Sequence, residues 1–297
     1  MRKSDNSVRL HAARKLGEQT AITHGFSVLP VDPFKIAERV QIIVQGNPDT
    51  AKGVSGMLLR HGENYGIIYA TYVVSDGFQR FSVAHELGHY FLPGHIDHVL
   101  PPGTDAHSSH AGFSSGNIYE LEADHFAAGL LMPTDLVRQA ICKTRDGLEA
   151  ITSLALNCGT SLPASAIRYV EITDCPAAII MSMGQTIDYC FMSESLRAYR
   201  DDGFTWIRKG AILPNDSETA SLNRNVLQIE QGHTTEAETD LADWWGGSKS
   251  ILGIEQAIGL GQYGKTLTVL TFPNLPDEEE IEEEQQLIES LTPQFRR

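Results

Sequence analysis

Phe81-Ser82-Val83-Ala84-His85-Glu86-Leu87-Gly88-His89-Tyr90-Phe91-Leu92 is the stretch from which the rest of this 297-residue chain is best read. Val83, Leu87 and Phe91 recur at helical spacing, Ser82 can cap the start, and Pro93-Gly94 stops the run. On a helix, positions i and i+4 share one face about one turn apart, so His85 and His89 can reach a single metal ion. Two neutral imidazoles suit zinc, and Glu86 stands where a carboxylate can take a proton from a water polarised by that ion. His-Glu-x-x-His on a helix is the arrangement used by zinc metallopeptidases. With 11 His and 38 acidic residues in the chain, chance yields only about 0.05 such patterns. A histidine pair that merely packs in a core also has no need of a glutamate between its members on an apolar element.

Such a site requires a third protein ligand. In the run from Tyr119 to Pro133, Ala123, Phe126, Ala127 and Leu130 define one inward stripe of a helix closed by Pro133. Glu120 extends that stripe by a turn, whereas Glu122 is rotated away from it. Ala123 and Ala127 are small enough to let this helix approach the His85 helix closely. Asp124, one turn after Glu120, can accept a hydrogen bond from the free N–H of a histidine ligand. The competing reading makes Glu120, Glu122 and Asp124 a solvated face; the stripe favours Glu120 as the third ligand.

Three stretches now combine: Pro30-Val31-Asp32-Pro33-Phe34-Lys35-Ile36-Ala37-Glu38, Arg80 through His89, and Glu120 through Pro133. With them, residues 29–133 resemble the ImmA/IrrE family of metallo-endopeptidases, bacterial and phage-associated proteins with a gluzincin-type site. The resemblance implies zinc held by His85, His89 and Glu120, with Glu86 as general base. It also implies a protein substrate, a helix-turn-helix transcriptional repressor whose limited cleavage derepresses mobile-element or stress-response genes.

Composition agrees with a soluble protein of more than one domain: 41% of residues are hydrophobic, enough for a sizeable core. The basic N-terminus is followed by no apolar run, and no stretch approaches the roughly 20 apolar residues of a membrane span. Cys142, Cys158, Cys175 and Cys190 lack the paired spacing of a zinc knuckle or redox motif and read as thiols of a reducing compartment, so a cytoplasmic location is expected. A net charge of −15 argues against direct nucleic-acid binding. Part of that charge is the run Asp277 to Glu284, read as a solvated face or tail.

The expected fold class is α+β. Residues 1–133 read as a zincin-like metallopeptidase domain, 134–172 as a helical, helix-turn-helix-like segment, and 173–297 as a C-terminal α+β domain with an acidic tail. In the first, helices at 8–22 and 33–40 precede strands at 40–44, 54–59 and 65–70. These strands predict a small antiparallel sheet with 62–64 as a hairpin loop. Residues 101–116 read as a long loop, with His95, His98, His107 and His110 in or near it as candidates for polarising a substrate carbonyl or restricting access. In the middle segment, helices at 148–157 and 163–170 flank Gly159, but Arg168 is the only basic residue on the second, so packing is favoured over DNA reading. Beyond residue 177, strand-like blocks at 178–182, 186–191 and 267–272 alternate with turn signals. This part resembles the GAF-type sensor domain of longer family members, and Trp244-Trp245 reads as core or lid packing. Two rival functions remain at this level. One is a regulatory protein that sequesters a repressor or antitoxin without cutting it, its zinc purely structural; the other is a ligand-gated sensor with a vestigial protease.

Overall fold

Ser75 decides where the motif helix begins. In the structure, a computed structural model that describes residues 2–51, 53–110, 116–199, 201 and 203–276, the Ser75 hydroxyl accepts from the Phe78 N–H at 3.4 Å. The helix therefore starts at Asp76, six residues before the predicted cap. Ser82 instead lies mid-helix, buried, donating to the Phe78 carbonyl at 2.9 Å. The chain divides into two compact units, Met1–Lys143 with Thr152–Ser165 and Thr144–Ile151 with the residues from Ala166 onward. Both are built from helices and a sheet, a mixed α+β fold. The acidic run 277–284 lies outside the described residues.

The first unit runs α1 (Arg2–Thr23), α2 (Pro33–Arg39), β1 (Ile43–Asn47), β2 (Val54–His61), β3 (Asn64–Ala70), α3 (Asp76–Phe91), α4 (His95–Val99), β4 (Ala106–His110), α5 (Ile118–Leu131) and α6 (Thr134–Ile141). Asp32 caps α2 by accepting from the Phe34 and Lys35 N–H groups, with Pro33 at the first helical position. β2 and β3 form a hairpin across the two-residue turn Gly62-Glu63, with Gly62 at φ +63.

The sheet order is β1-β3-β2-β4. It differs from the predicted sheet in two ways. β1 pairs parallel to β3, not antiparallel, because the chain reverses once into β2 and again into β3, and β1 lies beside the strand that shares its direction. The expected loop also contains an edge strand: β4 pairs antiparallel with β2, placing His107 opposite Leu58 and Ser109 opposite Gly56. Ala-His-Ser-Ser-His has little intrinsic strand character; the open edge of β2 supplies the template.

The core of this unit lies where α3 meets α5. Val83, Ala84 and Leu87 are fully buried, as is the predicted stripe Ala123, Phe126, Ala127 and Leu130. Burial of each large apolar side chain contributes about 1.5–3 kcal/mol. A Cβ on Gly88 would stand 3.1 Å from the Ala123 Cα, so small residues on both helices permit the close approach that the site needs. On its other side α5 touches α1 backbone to backbone. A Cβ on Gly17 would meet the Phe126 carbonyl oxygen at 2.2 Å, and one on Gly129 the Arg14 carbonyl oxygen at 2.2 Å.

Two further helices, α7 (Leu148–Cys158) and α8 (Leu162–Ile172), each contribute residues to both units. They are joined through Gly159 at φ +62, where Thr160 N–H bonds the Ala155 carbonyl at 3.1 Å. Arg168 is buried and paired with Glu171 at 3.3 Å.

The second unit continues with β5 (Ala177–Met183), β6 (Thr186–Met192), α9 (Glu194–Ala198), α10 (Glu218–Asn223), α11 (Val226–Glu230), β7 (Thr234–Asp240), α12 (Leu241–Trp245), β8 (Leu252–Gly259) and β9 (Thr266–Thr271). All pairs in its sheet, ordered β6-β5-β9-β8-β7, are antiparallel. Trp244 and Trp245 are core residues; Trp245 is fully buried, stacked on Phe204 and edge-on to Phe272. The buried Glu255 carboxylate accepts from the N–H and hydroxyl of Thr219 at 2.7 and 2.6 Å, satisfying donors at the start of α10.

Candidate metal centre

α3 sets His85 and His89 one turn apart on the face turned toward α5, and α5 brings Glu120 against them. The two Nε2 atoms are 3.2 Å apart. His85 Nε2 lies 3.3 Å from Glu120 Oε2, and His89 Nε2 lies 3.5 Å from Glu120 Oε1. Donors about 2.0–2.2 Å from one tetrahedral ion stand about 3.3–3.6 Å from one another. The three separations match that edge length. Among the described residues this is the group of histidine, cysteine and carboxylate atoms that could hold a metal ion.

Each of the three side chains has an outer partner. His85 Nδ1 is 2.8 Å from Asp124 Oδ1, the contact expected of Asp124 one turn along α5. His89 Nδ1 faces His95 Nδ1 at 3.2 Å, and His95 Nε2 reaches Glu122 Oε2 at 3.2 Å. Glu120 Oε1 accepts from His107 Nε2 at 3.1 Å, across from the edge strand β4. With both outer nitrogens so engaged, the Nε2 atoms of His85 and His89 are the ones left to converge with Glu120.

Electrostatics follow from this packing. Burial pushes the His85 imidazole down, but the Asp124 and Glu120 carboxylates outweigh it and raise its pKa to about 10. Burial dominates at His89 and lowers it to about 4, keeping that ring neutral. Against burial, which acts in the opposite direction, the hydrogen bonds of His107, His85 and His89 hold the Glu120 carboxyl well below the usual carboxylate range.

Glu86 is the outlier. It is fully buried, and neither carboxylate oxygen meets hydrogen-bond geometry with any partner among the described residues. Burial raises its pKa to about 7, against the opposing charge of His85. The Ser109 hydroxyl is near enough to favour the carboxylate, yet is not aligned with it for a hydrogen bond. Gly56 of β2 makes room for the group: a Cβ there would lie 2.6 Å from Glu86 Oε1. Buried acceptors without donors are costly, and they accumulate where function requires them.

Residues 37–166 match the family described as the IrrE N-terminal-like domain, Peptidase_M78. This stretch is similar to the IrrE-type domain of the ImmA/IrrE peptidases. The IrrE-like domain spans α3, β4 and α5, so every residue just described falls within it. The matched family is one of metallopeptidases, which implies a metal, and the His-His-Glu group that could hold one lies within the matched residues. In fold, the chain is similar to a Mycobacterium tuberculosis transcriptional regulator: TM-score 0.55 at 14% identity, over 89% of this chain and 77% of that one. No curated protein sequence matches the chain. Among the described residues no helix is long and apolar enough to cross a membrane.

Several participants were poorly legible in sequence. Glu122 does not lie on a solvated face; it is buried, paired in a bidentate contact with Arg9 at 2.8 and 2.7 Å. Of the four loop histidines, His107 reaches Glu120 and His95 backs His89, whereas His98 stacks on Tyr119 at 3.7 Å and His110 is exposed. Gly56 and Ser109 carry no sequence signal, because only the β2–β4 pairing brings them to Glu86.

Proposed function

We propose that this protein is a zinc-dependent endopeptidase that makes limited cuts in a protein substrate, a helix-turn-helix repressor. The observation that carries the reading is a buried, unbonded Glu86 carboxylate beside three donors spaced for one tetrahedral ion. His85, His89 and Glu120 would hold the zinc. When bound, zinc supplies a Lewis acid that brings a water's pKa to about 7 and polarises the scissile carbonyl. Glu86 takes the proton from the attacking water and returns it to the leaving amine. A pKa of about 7 suits both halves of that transfer. Asp124 orients His85, and His107 holds the Glu120 carboxylate in place.

β4 supports a peptide as substrate. It is the sheet edge that borders the centre, and an extended peptide can pair with such an edge. The α7–α8 pair is read as the helix-turn-helix-like middle segment, serving in packing and not in DNA reading, since its Arg168 is buried. The five-stranded antiparallel sheet of the second unit supports a GAF-type sensor role. The free thiols fit a reducing cytoplasm.

The decisive experiment incubates the purified protein, with and without chelator, with a candidate helix-turn-helix repressor. Zinc-dependent appearance of two discrete fragments by mass spectrometry is expected. An intact repressor that co-purifies with the protein would favour sequestration without cleavage. Gly56→Ala provides a check on the base: its Cβ must displace the Glu86 carboxylate. Cleavage is expected to fall at least tenfold, with stability reduced by about 1–3 kcal/mol on melting.

A further inference from the structure

We propose that His95, Glu122 and Arg9 form a positioning relay that sets the tautomer of His89 and presents its Nε2 lone pair to the metal. This rests on the reading of His85, His89 and Glu120 as the metal ligands, and it adds a device that reaches into the N-terminal helix.

The assignment follows from counting donors and acceptors along the chain of contacts. Glu122 accepts from Arg9 Nε at Oε1, 2.8 Å, and from Arg9 Nη2 at Oε2, 2.7 Å. A carboxylate so held has only lone pairs to offer, so the 3.2 Å contact with His95 Nε2 requires the proton on that nitrogen. The opposite tautomer would set two lone pairs against each other. His95 Nδ1 is then a bare acceptor, and its 3.2 Å contact with His89 Nδ1 requires the proton on His89 Nδ1. His89 Nε2 is left without a proton, aimed at His85 and Glu120. For neutral imidazoles each step has one consistent solution, and it starts from the only permanent charge in the series, Arg9.

Burial keeps the order from being scrambled by solvent. His89 is 0% exposed, His95 2% and Glu122 7%. The relay is also held from the sides. Gly94, in the left-handed region at φ +77, turns the chain so that His95 begins α4 facing α3. Tyr119 lies edge-on to His95 at 5.0 Å, with the Arg9 guanidinium over its ring at 5.5 Å. His85 differs in kind: its carboxylate partner, Asp124, is direct. The two imidazole ligands are thus oriented by carboxylates at two distances, one immediate and one transmitted through a second ring.

Three variants and two readouts test this. Zinc affinity is measured by chelator competition on the full chain, and the imidazole tautomers of the metal-free protein by long-range nitrogen–proton NMR. Native protein is expected to bind one zinc and to show His89 protonated at Nδ1. His95→Leu removes the acceptor and is expected to weaken zinc binding roughly 10- to 100-fold, with loss of the single His89 tautomer. Glu122→Gln keeps the shape without the charge and is expected to weaken it roughly tenfold. His95→Gln retains an amide oxygen toward His89 and an N–H toward Glu122, and is expected to restore affinity to within a fewfold of native. Melting of each metal-free variant separates misfolding from loss of the relay. The inference is overturned if native protein binds one zinc and folded His95→Leu binds it as tightly, or if His89 carries its proton on Nε2. A native protein that takes up no zinc at all would instead overturn the metal-centre reading, and this one with it.

Discussion

Glu86→Gln is expected to leave zinc affinity within about threefold of native while lowering the rate of peptide cleavage by roughly 10²–10⁴. The substitution preserves shape and removes the one buried carboxylate near the centre, among the described residues, that is neither a candidate metal ligand nor engaged in a hydrogen bond. A variant that cleaves at the native rate would defeat the proposed mechanism. The same substitution carries a second, opposite expectation for stability. In the metal-free protein Glu86 rises from 4.5 to about 7, so the folded state resists the ionisation that the unfolded chain accepts freely. Below pH 4.5 both states hold the proton and nothing is lost. Between 4.5 and 7 native stability declines, and above 7 the full penalty of about 3 kcal/mol applies. Metal-free Glu86→Gln should therefore melt higher than metal-free native protein at pH 8, with the gap closing toward pH 4. A loss of activity joined to a gain in stability marks a group retained for chemistry.

His89→Ala is expected to weaken metal binding severely. Sharing an apparent 10–16 kcal/mol among three protein ligands assigns about 3–5 kcal/mol to each, so affinity should drop by roughly two to four orders of magnitude. Zinc at 1,000 times its dissociation constant stabilises a folded protein by about 4 kcal/mol. The native chain should show that stabilisation as a zinc-dependent rise in melting temperature, and His89→Ala should show at most about a third of it at the same zinc concentration. The metal-free variant is also expected to be weaker than native, because His89 is fully buried and its ring packs edge-on against His107 and tilted against His95. A zinc-dependent rise of native size in His89→Ala would remove this residue from the ligand set.

How far the site could be read in advance depended on whether its geometry was local. His85, Glu86 and His89 sit on one helix, so helical period alone places them. Glu120 and Asp124 needed only the apolar stripe of a second helix. His95, His107 and Ser109 were different, since their places depend on a short helix and an edge strand formed by a segment rich in turn residues. β4 exists because β2 has an open edge, and no propensity of Ala106–His110 announces it. The role of Glu122 was hidden for a related reason: its partner, Arg9, is 113 residues away. The mixed sheet escaped detection because alternation identifies strands without stating their order. In the second unit, apolar blocks located β5, β6 and β9 and the tryptophan pair located the core, but not β7, β8 or the β6-β5-β9-β8-β7 arrangement.

The glycine contacts between α1 and α5 bear on where the catalytic fragment begins. The family match starts at residue 37, which would make Arg2–Thr23 look dispensable. Yet Gly17 and Gly129 let the two helices touch main chain to main chain, and α1 carries the guanidinium that anchors Glu122. A fragment cut at the family boundary would lay bare the flank of α5 that α1 covers and strip a cation from behind His95. The N-terminal helix forms a back wall to the candidate metal centre, built from sequence that the family match leaves out.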